Sequence, residues 1–163
     1  MTAGAIIVGI GQLAAGDDGV GLAVARELAA RGLPVRESAD ASILLVLLEA
    51  GHRVVLVDAV AGGGPPGTVM QLDPDALAGA LVDGPVPLSS HGIGVAEAIA
   101  LARTLYGDAA VARLAVVGIA IERPATHAVG LSPAVAAAVR AAATRVAELA
   151  DSGSGRRRRS DGS

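Results

Sequence analysis

Cysteine is absent from this chain of 163 residues, and that absence alone removes disulfides, thiol catalysis, iron–sulfur clusters and thiolate zinc sites. Phenylalanine and tryptophan are absent too, and Tyr106 is the single tyrosine. A core must therefore be built in layers from Ala, Val, Leu and Ile. With 52% hydrophobic residues the material for one is present. Ala-rich helices can approach a sheet closely, so such a core is physically reasonable. No apolar run reaches the roughly 20 residues of a membrane-spanning helix. No basic segment precedes the N-terminal apolar run, so no signal peptide is evident. A soluble, cytoplasmic protein without a membrane partner is expected. The net charge of −3 lacks the basic excess of a nucleic-acid binder, and no nucleic-acid partner is expected either.

What the chain does have is glycine and a paired acid in one place. After the first apolar run comes Gly9-Ile10-Gly11-Gln12-Leu13-Ala14-Ala15-Gly16-Asp17-Asp18-Gly19-Val20-Gly21. A turn at the end of a buried strand is where α/β proteins place their chemistry. Most such loops hold a phosphate, which wants backbone N–H groups and positive charge. Asp17 and Asp18 repel a phosphate and attract a cation. The loop therefore points to metal handling or hydrolysis.

The pattern along the chain alternates. Strands are predicted at 5–10, 34–37, 53–60, 68–72 and 114–119 from short apolar runs bounded by Gly, Pro or charge. Helices are predicted at 20–31, 42–50, 74–81, 95–106 and from Pro133 to about 149, the last with Ser132 as its N-cap. Residues 62–67 are a loop by composition, and 84–88 are irregular. Strands alternating with helices imply a three-layer αβα sandwich. Residues 1–150 are expected to form one α/β domain. Residues 151–163, where Gly and Ser surround Arg156-Arg157-Arg158-Arg159, are expected to be a disordered tail.

Asp18, Asp58 and His91 are the residues to connect. Each belongs to or follows a strand-to-helix junction, and carboxyl-end loops of an open α/β sheet converge on one crevice. Two carboxylates and an imidazole suit borderline divalent metals such as nickel, zinc or manganese, with positions left open for substrate or water. Each residue also has a plainer role. Asp17 is placed to cap the first helix, Asp18 to favour its dipole, and Asp58 to serve a turn. His91, near a helix start, is disfavoured as a cation and so favoured as a neutral, metal-competent ring. His52 reads as a structural residue at a surface turn, and His127 as a further candidate lining of the crevice. No Gly-x-Ser-x-Gly elbow supports Ser89 or Ser90 as a nucleophile. A dinucleotide reading exists as well: Gly9-Ile10-Gly11-Gln12-Leu13-Ala14 fits a relaxed fingerprint, with Glu37 as the ribose-binding acid. Against it, helical periodicity starts only near Val20, and two carboxylates would face the pyrophosphate.

The order of motifs resembles that of the hydrogenase maturation endopeptidases, which trim a C-terminal peptide from the large subunit of nickel–iron hydrogenases. Gly9-Ile10-Gly11-Gln12 through Asp17-Asp18-Gly19-Val20-Gly21 stands where that family has Gly-x-Gly-Asn, a few residues, an acid pair and Gly-x-Gly. Val57-Asp58-Ala59, Pro66-Gly67-Thr68, Ser89-Ser90-His91, Val116-Val117-Gly118-Ile119 and Gly130-Leu131-Ser132-Pro133 follow in the family's order, over residues 5 to about 150. The resemblance implies a phosphorylase/hydrolase-like sandwich around a twisted, mostly parallel five-stranded sheet. It implies Asp18, Asp58 and His91 as metal ligands and catalytic centre, with Asp17, Gly11 and Gln12 in support. It implies a hydrogenase large-subunit precursor as partner, and nickel already inserted in that precursor as the recognition element, another divalent metal being the alternative. Two positions depart from the pattern. Gln12 replaces the usual Asn, and Ser38-Ala39-Asp40-Ala41-Ser42 replaces Asp-Gly-Gly-Thr, a segment tied to substrate selection, leaving Asp40 as its candidate substitute. A non-catalytic binding protein of the same fold is the alternative that this second departure favours.

Overall fold

The computed structural model describes residues 4–83, 94–122 and 130–152. Five strands form one sheet: β1 Ile6–Ile10, β2 Val35–Ser38, β3 Val54–Ala61, β4 Val69–Leu72 and β5 Leu114–Ile121. Their order is β2-β1-β3-β5-β4, parallel except for β4, which runs antiparallel to β5 at the edge. The helices are α1 Val20–Ala30, α2 Ile43–Glu49, α3 Pro74–Asp83, α4 Val95–Tyr106, α5 Asp108–Val111 and α6 Pro133–Ser152. The expected sandwich is thus the observed one.

Side chains alternate across the sheet with the two-residue period of a strand. Val55 and Val57 join Ile7, Val117 and Ile119 under α1 and α6, whereas Val54 and Leu56 join Val8 and Val116 under α2 and α4. Small residues replace the missing aromatics. Ala138, Ala142, Ala143 and Ala150 are the buried face of α6, interleaved with Val135 and Val146. Helix α1 comes closer still. A Cβ on Gly9 would lie 2.7 Å from that of Ala25, and one on Gly21 would lie 2.6 Å from the carbonyl oxygen of Val57. The glycines of the first loop therefore let a helix settle onto two strands, which is a packing task.

Chain order sets the location of the site. The connection from β1 leads to β2 on one side, and the next leads to β3 on the other, so the direction reverses between β1 and β3. The crevice outside the carboxyl ends at such a reversal is where open α/β sheets bind ligands.

Candidate active site

Asp58 lies at this reversal. Gly9 is paired with Val57 across β1 and β3, so Asp58 is level with the last residue of β1 and opposite Gly118 of β5. It follows Leu56 by two positions and so faces the α2 and α4 side. It is half-buried and closely surrounded by protein. Burial pushes its carboxyl up from an ordinary 3.8 to about 7, although the N–H of Ala59 donates to its Oδ1 at 2.8 Å, and the charge of Asp18 raises it further.

Asp18 comes to Asp58 along a different path. Between β1 and α1 the chain forms a 3-10 segment, Leu13–Gly19, that packs against β3. Its backbone is pinned because Gly11 leaves no room beside the carbonyl oxygen of Asp18, which a Cβ there would overlap. The first turn of α1, at Gly21, sits on the end of β1 and the middle of β3, against the carbonyls of Ile10 and Val57. An acid of the loop after β1 and an acid of β3 are thereby held in mutual repulsion at the sheet reversal. Such a pair favours either a shared proton or a cation between its members.

Asp17 has a role other than the one its sequence position suggests. Helix α1 has Gly19 as its N-cap and no side-chain cap. The Asp17 carboxylate instead accepts the N–H of Ser132 at 2.6 Å and its hydroxyl at 2.8 Å. Ser132 does occupy the N-cap position of α6, its carbonyl accepting from the N–H of Ala136 at 2.8 Å. Asp17 thus anchors the start of the last helix and leaves the first uncapped. Glu37 is equally removed from any ribose: it pairs with Arg26 of α1 at 2.6 Å on the surface.

The 38–42 segment borders the same edge, since Gly11 N–H donates to the carbonyl of Ser38 at 3.1 Å. Its polar groups close on one another. Ser42 donates its N–H and hydroxyl to Oδ1 of Asp40, at 2.8 and 2.5 Å, and Ser38 donates its hydroxyl to the carbonyl of Asp40 at 2.8 Å. The Ser42 bonds hold the Asp40 carboxyl below the usual carboxylate range. Gln12 marks the turn from β1 into the 3-10 segment with an extended backbone.

His91 and His127 lie outside the described residues, as do Ser89, Ser90 and the four arginines of the tail. Among the described residues no three acidic or imidazole side chains gather into a metal-binding set. Those present, Asp18 and Asp58, fit a cation by charge and by their position. His52, half-buried before β3, accepts a hydrogen bond from Arg113 through its backbone carbonyl at 3.3 Å. Sequence reasoning gave Ser132 as a helix cap but missed its bond to Asp17, 115 positions away. It also missed Arg53 and Arg113, which reach the carbonyls of Leu149 and Ala150 in α6 and of Leu48 in α2. An arginine just before a strand was the available signal for those two. No described helix is long and apolar enough to cross a membrane.

Comparison with known proteins places this geometry in context. The solved structure of the [NiFe] hydrogenase maturation protease HybD from Thermococcus kodakarensis is similar with a TM-score of 0.64 and 22% identity, over 91% of this chain and 100% of that one. The endopeptidase HycI from Escherichia coli is similar with a TM-score of 0.64 and 21% identity, over 88% and 89%. HybD from E. coli, a hydrogenase maturating endopeptidase, gives 0.61 and 21%, over 93% and 94%. These likenesses establish the fold. No curated protein sequence matches the chain significantly. The model of the HycI hydrogenase maturation protease family matches residues 39–149, more than half of the chain. The chain belongs to the hydrogenase maturation protease family.

Proposed function

We propose that this protein is an endopeptidase that removes the C-terminal extension of a hydrogenase large-subunit precursor, and that it reads nickel already held by that precursor. The observation that carries the reading is the meeting of Asp18 and Asp58 at the sheet reversal, in a chain of this family. Nickel enters as part of the substrate. When bound, it supplies the positive charge that polarises the scissile carbonyl or an attacking water.

The rest is done by the chain itself. Asp18, Asp58 and His91 would hold the cation. Helix α4 starts at Val95, near the carboxyl edge, because its other end leads through α5 into the first residue of β5. His91 is three positions before Gly94, a span of at most about 11 Å. That reach supports His91 as the third ligand. A cation held by the two acids would replace the proton on Asp58, so below about pH 7 engagement of the precursor releases up to one proton, tightens as pH rises toward 7 and levels off above it. Asp17, Gly11 and Gln12 shape the loop that carries Asp18.

The non-catalytic alternative has one observation in its favour. The 38–42 segment is closed on its own hydrogen bonds, and Oδ1 of Asp40 is committed to Ser42. One assay separates the two readings. Purified protein is incubated with nickel-loaded and metal-free precursor, and the mass of the large subunit is followed. Cleavage of the loaded form alone is expected. Cleavage of neither form, with retained binding, would favour the alternative, and equal cleavage of both would defeat nickel recognition.

A further inference from the structure

Ser132 gives the Asp17 carboxylate two donors at once, and both bonds are part-buried. A serine at a helix start ordinarily turns its oxygen toward the helix amides. Here the hydroxyl and the backbone N–H both point to an ionised acceptor from another part of the chain, and hydrogen bonds to charged groups are the stronger ones. The segment bearing Asp17 needs such an anchor. Leu13–Gly19 is a seven-residue 3-10 run, longer than such runs usually persist. Neither Gln12 at its start nor Gly19 at the start of α1 supplies a side-chain cap.

The anchor point is itself fixed. Gly67, at a φ of 92°, lies against the first turn of α6, where a Cβ would stand 2.6 Å from the carbonyl oxygen of Ala134. The N–H of Gly67 is held by the carbonyl of Ala120 at 2.8 Å. The start of α6 is therefore tied to β5 and to the 3-10 segment together. Asp18 follows Asp17 directly, and its carbonyl is braced on the other side by Gly11.

We propose that Ser132 is a positioning residue of the active edge: by clamping Asp17 to the start of α6, it holds the carboxylate of Asp18 beside Asp58 at the spacing that admits a divalent cation. This rests on the reading of Asp18 and Asp58 as the groups that receive the metal. The hydroxyl of Ser132 is spent on Asp17, and its effect passes through that residue.

The test compares the full-length wild type with Ser132→Ala, Ser132→Thr, Asp17→Asn and Asp18→Asn. Thr144→Ala, which removes an exposed hydroxyl from the middle of α6, is the control. Each is measured for Ni2+ affinity by calorimetry without precursor, for kcat and KM in precursor processing, and for melting temperature. Ser132→Ala is expected to weaken Ni2+ binding and lower kcat on the order of tenfold. Its melting temperature should fall by no more than about 5 °C. Ser132→Thr, which keeps the hydroxyl, should restore both readouts, and Thr144→Ala should change neither. Asp17→Asn keeps one acceptor and should lose part of both, which serves if Ser132→Ala does not fold. Unchanged Ni2+ affinity and kcat in Ser132→Ala and Asp17→Asn, with both lost in Asp18→Asn, overturn the positioning role and leave the metal site standing. Unchanged Ni2+ affinity in Asp18→Asn overturns the metal site, and the positioning role with it.

Discussion

Asp58 carries a penalty that depends on pH. Its carboxyl titrates near 7 in the folded protein against an ordinary 3.8, chiefly through burial. Between those values the folded chain keeps a proton that the unfolded chain has released. Stability attributable to Asp58 therefore falls as pH rises from about 4 to about 7, and above that range the ionised side chain works against folding by about 2–4 kcal/mol. Asp58→Asn removes the charge and keeps the shape. It is expected to raise the urea midpoint at pH 8 and to leave that at pH 4 nearly unchanged, while processing is lost. Equal midpoints for the two proteins at pH 8 would show that the buried carboxylate is compensated by another group. Asp58 was legible in the sequence because an apolar run ends on it. The source of its shift was not, since desolvation and the charge of Asp18 exist only after β1 and β3 are paired. The same applies to Ser132 and Asp17, whose bond joins opposite ends of the chain.

At the scale of the element, close packing explains the glycines of a motif whose acid pair points to metal handling. Gly21 lies on the end of β1 and the middle of β3, where a Cβ would overlap the carbonyl of Ile10 and approach that of Val57 to 2.6 Å. Neither backbone oxygen can move without breaking the parallel ladder. Gly21→Ala is expected to destabilise the fold by about 3 kcal/mol or more, above the usual cost of overpacking. Gly79 is the counter-case. It is exposed inside α3 with open space around it. Gly79→Ala is expected to stabilise by about 0.5–1 kcal/mol through helix propensity. Thermal melts of the pair test whether the two glycines differ as packing requires, and a similar response in both would refute the account. The longer elements were readable in the sequence because apolar runs, glycine stops and Pro133 bound them closely. Helix α4 fell on its predicted residues. Leu13–Gly19 was not readable as 3-10, having no apolar period, and neither was the four-residue α5. The motifs Pro66-Gly67-Thr68 and Gly130-Leu131-Ser132-Pro133 looked unrelated along the chain, yet Gly67 lies against Ala134 in the first turn of the helix that Ser132 begins.

The whole molecule has two poles, and the reading assigns chemistry to only one of them. The carboxyl edge of the sheet holds Asp18, Asp58 and the 38–42 segment. The amino end holds a separate open recess, lined by Pro74, Asp75, Arg103, Asp108, Val111, Ala112 and Leu114. Arg103 bridges that recess by pairing with Asp75 and, at 3.2 Å, with Asp108. Leu114 opens β5 and pairs with Val54 at the start of β3, four residues below Asp58. At about 3.3 Å per residue the two sites are separated by at least ~13 Å of packed strand. Both carboxylates are mostly exposed, so breaking the pairs should cost no more than about 1 kcal/mol. Arg103→Ala is therefore expected to process nickel-loaded precursor within twofold of wild type and to melt only slightly lower. His91→Ala, which removes the proposed third ligand, is expected to abolish processing while melting nearly as wild type does. Rates read from the mass of the large subunit over time, beside melts of both variants, decide the assignment. If Arg103→Ala stops processing and His91→Ala does not, the working end of this protein is the recess at the amino pole, and the two acids at the reversal serve only the fold.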